Sequence, residues 1–176
     1  MVNRGLVHIY TGNGKGKTTA AVGLSVRAVS YNLKVCYIYF HKDPEMWGYG
    51  EIKVLSGLGI DVYGFATKHP HFYSSVRNED VRAECLKGLN FVKDIYKNIE
   101  YDLLILDEIN ISIRDGYISE DEVIELIDDK PLKLELVLTG RNATKRLIEK
   151  ADLVSEIIEI KHPYNEGVLG RRGFEY

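Results

Sequence analysis

Cysteine is scarce in this chain. Cys36 and Cys85 are the only two, far apart and without C-x-x-C spacing, which excludes a disulfide scaffold and a thiol-based zinc ribbon and leaves both as expected core thiols. Long apolar runs are also missing: nothing approaches the roughly 20 residues needed to cross a bilayer. The opening Met1-Val2-Asn3-Arg4-Gly5 leads into a strand pattern without an apolar leader core, so the expectation is a cytoplasmic protein with no membrane partner. Neither sign of charge is in large excess. A net charge of −3, with 28% charged residues, argues against nucleic acid as a partner. Only four prolines occur among 176 residues, and there is no Pro/Ser-rich linker, low-complexity tract or repeat, so residues 1–176 are expected to form a single domain. His69-Pro70-His71 lacks a third ligand at metal spacing and reads as a surface loop.

What is present is a phosphate-binding loop. Thr11-Gly12-Asn13-Gly14-Lys15-Gly16-Lys17-Thr18-Thr19 follows an apolar run from Leu6 to Tyr10 and opens a helical pattern. Glycines let backbone N–H groups point at an anion, the helix start adds its positive dipole end, and Lys17 and Thr18 supply a charge and a hydroxyl ligand for Mg²⁺. The expected ligand is ATP or GTP. The usual spacing calls for a glycine where Thr11 stands. Counted from Gly12, three residues separate the bracketing glycines instead of four, so a smaller amide nest and unusual nucleotide handling are expected.

Further along, Val35 to Phe40, Leu103 to Leu106 and Leu134 to Leu138 are almost continuously apolar, the pattern of strands covered on both faces. Helical patterns alternate with them, over Lys17 to Val29 and Glu79 to Lys97; in the latter Val81, Cys85, Leu89, Val92 and Ile95 share a face. Ser119 and Glu122 make a capping box for a third helix ending at Lys130-Pro131. Asn142 is read as the cap of a short helix through Lys150, and Val154 to Ile160 as a last strand. His41 to Gly50 and Gly64 to Ser75 look least regular. The alternation predicts an α/β, P-loop NTPase-like fold with a mostly parallel central sheet and helices on both faces, its ligands collected along the edge where the strands end.

At that edge two more groups are expected. Leu103 to Leu106 runs into Asp107-Glu108, where Asp107 suits Mg²⁺, directly or through water, and Glu108 joins it as a candidate ligand or as the group that polarises an attacking water. Thr139-Gly140-Arg141 follows another strand, and Arg141 is a candidate clamp for phosphate oxygens. Lys15 is a second loop cation suited to a highly charged leaving group.

Taken with Ala151-Asp152-Leu153-Val154-Ser155-Glu156 and Lys161-His162-Pro163-Tyr164, the phosphate loop, Leu106-Asp107-Glu108-Ile109-Asn110 and Thr139-Gly140-Arg141 resemble, in matching order from about Gly5 to Tyr176, the ATP:corrinoid adenosyltransferases. The resemblance implies that a Co(I) corrinoid attacks the 5′ carbon of ATP and expels inorganic triphosphate. It also implies that ATP lies in the loop in a reversed sense, that the loop residues Gly12, Asn13, Gly14, Lys15, Gly16, Lys17, Thr18 and Thr19 bind it with Arg141, and that Lys17, Lys15 and Arg141 stabilise the departing triphosphate with Mg²⁺ held by Thr18, Asp107 and Glu108. A reductant such as a reduced flavoprotein and a homodimer are implied as well.

The corrinoid side matches less completely. The family's Gly-Phe-Thr-Trp segment aligns with Gly64-Phe65-Ala66-Thr67, so Phe65 is the expected corrinoid contact while Thr67 stands where the tryptophan belongs. Trp47, Tyr49, His69, Phe72 and Tyr73 are the candidate replacements. Gly50-Glu51 matches a family pair, as does Gly173-Phe174-Glu175-Tyr176, whereas Gly170-Arg171-Arg172 departs from the family's sequence. Two other readings stand beside adenosyl transfer: a P-loop ATPase or small-molecule kinase, favoured by Glu108, and a nucleotide-binding module without corrinoid turnover.

Overall fold

The computed structural model describes residues 4–98 and 100–174; the expectations placed on Glu175 and Tyr176 lie outside the described residues. Six strands form one sheet: β1 (Val7–Thr11), β2 (Val35–Phe40), β3 (Asp61–Phe65), β4 (Leu103–Asp107), β5 (Glu135–Thr139) and β6 (Leu153–Glu156). Their order is β3-β2-β4-β5-β1-β6, and every pairing is parallel. Helices α1 (Lys17–Val29), α2 (Pro44–Trp47), α3 (Gly50–Gly57), α4 (Asn78–Asn98), α5 (Ile109–Arg114), α6 (Glu120–Asp128) and α7 (Lys145–Lys150) fill the connections. The chain is thus a single α/β unit with a P-loop NTPase-like sheet. No described helix is long and apolar enough to cross a membrane.

The two faces of the sheet bury separate apolar layers. Ile9, Ile38, Leu104, Leu106, Leu136 and Leu138 point to the side covered by α4 and α6. Tyr37, Ile105 and Val137, with Ala21 of α1 and Leu55 of α3, form the other layer. Alternation of side chains along a strand makes this split unavoidable, and it explains why all of β2 is buried. Cys36 and Cys85 are buried free thiols whose pKa values burial pushes up to about 12 and about 11, consistent with inert core residues.

Several boundaries differ from the sequence expectations for identifiable reasons. Edge strand β3 was hidden because Asp61-Val62-Tyr63-Gly64-Phe65 is largely exposed and lacks the apolar density of a central strand. The supposedly irregular stretch after β2 holds α2, capped by Asp43 Oδ1, which accepts from the N–H groups of Glu45 and Met46 at 2.9 and 3.1 Å. Asn142 does not cap α7. It sits in the left-handed region at φ 60°, and Thr144 is the cap, its hydroxyl accepting from Leu147 N–H at 3.3 Å. The last strand is shorter than expected and begins a residue earlier: it stops at Glu156, and Ile158 and Ile160 beyond it are 70% and 96% exposed.

Candidate active site

Strand order decides what meets at the C-terminal edge. Because β5 lies between β1 and β4, Thr139 at its end separates the phosphate loop from Asp107. The Thr139 hydroxyl donates to Asp107 Oδ1 at 2.6 Å and accepts the Glu108 N–H at 2.9 Å, so one side chain fixes both carboxylate residues. Glu108 turns the chain there, at φ 65°, into α5. Gly140 follows with φ 129°, and a Cβ on it would come within 2.9 Å of Asn110; only glycine lets Arg141 emerge beside the loop.

The loop rests on the segment after β6. Gly12 has φ 96°, with Ile157 O only 2.4 Å from where a Cβ would be, and Gly14 N–H donates to that same oxygen at 2.7 Å. Gly16 precedes α1 without a side-chain cap, so the amides of the first turn have no side-chain partner there and are available to an anion. Buried Lys17 donates to Gly12 O at 2.8 Å and Gly14 O at 2.7 Å. Burial, reinforced by Arg141, lowers its pKa against the opposing pull of Glu108 and Asp107. A cavity of about 670 Å³ opens here, lined by Gly14, Lys17, Thr18, Thr19, Glu108 and Arg141 among others. Lys15 also lines it, but its ammonium donates to Phe174 O at 2.6 Å. Asn13 is exposed at the loop tip.

One residue here escaped the sequence reading. Lys42, just past the end of β2, is 7% exposed and forms an ion pair with Asp107, which is fully buried. Its ammonium also donates to Thr18 Oγ1 at 3.1 Å, while Thr18 Oγ1 donates to Asp107 Oδ1 at 3.1 Å. Burial works against both charges, yet the pairing prevails: Lys42 is raised and Asp107 lowered relative to their ordinary pKa values. Glu108 moves the other way, raised by burial and by its neighbour Asp107. The sequence signal was a lysine two residues past a fully buried central strand, with His41 between them.

Thr18 and Asp107 therefore already converge on a cation through hard oxygen donors, the set that Mg²⁺ prefers. These residues fit the metal, and Glu108 borders the same cavity.

A second cavity, about 560 Å³, shares Lys42, Tyr49 and Glu108 with the first. Rings dominate its far side. His69 lies 5.4 Å from His41 and 5.7 Å from Tyr117 between ring centroids, and hydrogen-bonds Asp115 Oδ2 through Nε2 at 3.2 Å. His69 is thus half-buried in a site wall, not simply in a surface loop. His41 Nε2 contacts Ser112 Oγ at 2.7 Å.

Of the aromatic candidates, Tyr49, His69 and Phe72 line this cavity. Trp47 backs Phe72 at 5.4 Å, and the Tyr73 hydroxyl is held by Asp43. Phe65 packs between Phe40 and Phe91 at 6.2 and 5.7 Å, on the core side, and neither it nor Thr67 lines the second cavity.

Comparison with known proteins agrees with this architecture. The family model described as ATP:corrinoid adenosyltransferase BtuR/CobO/CobP matches residues 3–176. The chain is 32% identical over 173 residues to a corrinoid adenosyltransferase of Escherichia coli (strain K12), covering 98% of this chain and 86% of that protein. It is 31% identical over 173 residues to the corrinoid adenosyltransferase CobA of Salmonella typhimurium, with the same coverage. A corrinoid adenosyltransferase of a Sinorhizobium species is 36% identical over 176 residues, covering 98% and 81%. On a match spanning almost its whole length, the chain belongs to the ATP:corrinoid adenosyltransferase family.

Proposed function

We propose that this enzyme transfers the 5′-deoxyadenosyl group of ATP to the Co(I) centre of a reduced corrinoid and releases inorganic triphosphate. The observation that carries the reading is that the phosphate-loop cavity and the ring-lined cavity share a wall made by Lys42, Tyr49 and Glu108. A nucleotide held in the first has a neighbouring compartment from which a second substrate can approach. In the transfer the cobalt electron pair forms the Co–C5′ bond, the C5′–O bond breaks, and its electrons leave on the triphosphate. No protein nucleophile is needed.

The chain's own groups then act by charge and alignment. Lys17, at present folded onto the carbonyls of its own loop, turns to the phosphates, and Arg141 and Lys15 approach from the rim. Each well-aimed donor is worth about 3 kcal/mol of barrier reduction. Gly12, Asn13, Gly14, Gly16 and Thr19 complete the nucleotide cradle. Thr18, Asp107 and Glu108 would hold Mg²⁺, which supplies additional charge neutralisation for the leaving triphosphate. On the corrinoid side His69, Tyr49 and Phe72 take the place first assigned to Phe65, because they line the second cavity.

The protein is further proposed to work in the cytoplasm as a homodimer, with a reduced flavoprotein delivering the electron that makes Co(I). The test is anaerobic incubation with MgATP and chemically reduced corrinoid. Triphosphate and a photolabile alkylcobalt spectrum are expected; ADP and phosphate would instead favour the ATPase reading that Glu108 allows.

A further inference from the structure

The position of Lys42 is unusual for a cation next to a phosphate loop. Its side chain lines the same cavity as the loop, yet its ammonium is already engaged. It is bonded to Thr18 Oγ1 at 3.1 Å and paired with Asp107, the two groups whose oxygens suit a divalent ion. Both members of the pair are buried, and Asp107 is further committed to Thr139 at 2.6 Å. The Lys42 ammonium cancels the charge of the Asp107 carboxylate. A bare divalent ion entering it must either displace Lys42 or sit beside a like charge in a poorly hydrated place, and both are costly.

Resting on the assignment of Thr18 and Asp107 as the metal's ligands, we propose that Lys42 is a positioning residue that occupies the metal site through Asp107 and Thr18. It excludes a free divalent ion and yields to one that arrives with a nucleotide triphosphate. The negative charge of the triphosphate makes the exchange favourable: metal and nucleotide enter together as a unit whose net charge is negative, not positive, and the displaced ammonium stays among anions, with Glu108 and Glu51 nearby. The Tyr49 ring, its centroid 5.4 Å from the Lys42 ammonium, offers a further partner during the exchange. An ion pair that merely supports the fold stays closed on Asp107 whether or not the metal arrives with a triphosphate.

Mn²⁺ binding to the nucleotide-free protein, followed by the loss of the free-ion EPR signal, tests the exclusion of a free ion. Lys42→Met retains the length and apolar stem without the charge, and it is expected to bind Mn²⁺ at least tenfold more tightly than wild type. Equal or weaker binding by folded Lys42→Met overturns the proposal. Should that variant fail to fold, the wild-type protein decides. The Lys42 ammonium resonance, assigned by its absence in Lys42→Arg, is expected to leave its Asp107-bound position when Mg·ATP is added without corrinoid, but not when the same concentration of MgCl₂ is added alone. A resonance unmoved by Mg·ATP, or moved equally by MgCl₂, refutes it. Triphosphate release by wild type reports separately on the adenosyl-transfer reading, so either proposal can fail without the other.

Discussion

Lys17 donates to two backbone carbonyls of its own loop, which satisfies a buried ammonium; in the proposed function phosphates replace those carbonyls. Lys17→Ala is therefore expected to leave the melting temperature within a few degrees of wild type while lowering kcat/KM for ATP by roughly 100-fold or more, as befits loss of an electrostatic donor at a leaving group. Near-normal turnover would remove Lys17 from the role assigned to it.

His41 supplies a second prediction at this scale. Burial, with the neighbouring His69 and Arg114 opposing Asp115, lowers its pKa from 6.5 to about 4, and the Tyr117 ring packs against it. The imidazole is thus neutral in the fold, whereas the unfolded chain takes up the proton below about pH 6.5. Stability contributed this way is complete above pH 6.5 and is lost as pH falls from there toward 4, by at most about 3 kcal/mol. Melting curves at pH 7 and pH 5 should show a smaller drop for His41→Asn than for wild type, asparagine also tolerating the φ of 58° at this position. An equal drop in both would show that other groups carry the acid sensitivity.

Among the elements, the legible ones were those whose local chemistry is strong. Helix α6 has the reciprocal cap anticipated from Ser119 and Glu122: Glu122 N–H donates to the serine hydroxyl at 3.2 Å, and Ser119 N–H to the glutamate at 2.7 Å. Ser119→Ala should cost about 1 kcal/mol, measurable as a lower urea midpoint at unchanged slope; no change would mean that the pairing of Arg82 with Glu122 holds the helix start unaided. Strand β3 was illegible because it is an edge strand whose side chains are largely exposed, leaving no continuous apolar signal. The cap of α7 was misplaced for a different reason. Asn142 and Thr144 are both good capping types, and only the glycine turn at Gly140, which sends the chain through left-handed Asn142, selects the threonine.

At the scale of the molecule, the sheet ends in a strand with no described neighbour beyond it. All four residues of β6 are exposed, and the chain beyond it carries Ile158, Ile160, Leu169 and Phe174 at 70% exposure or more. So much exposed apolar surface after the last strand is unfavourable for an isolated chain, and it supports the homodimer proposed above. Sedimentation is expected to give the mass of two chains, and Ile160→Glu to shift it toward one. A single-chain mass for wild type at micromolar concentration would dispose of the dimer.

The amino-acid sequence by itself determined the class of fold and carried the motifs of the family. A glycine-rich loop after an apolar strand binds phosphate by backbone geometry that is local, and continuous apolar runs alternating with helical ones leave few alternatives to a covered parallel sheet. What only the tertiary structure decided is which side chains from distant segments share a charge. Lys42 and Asp107 are brought together because β2 pairs with β4, with Tyr39 opposite Asp107; Thr139 reaches the same carboxylate because β5 inserts beside it; and Phe65 turns into the core because an edge strand gives it α4 to pack against. Pairing order is a property of the whole sheet, so no local pattern could have specified those partners.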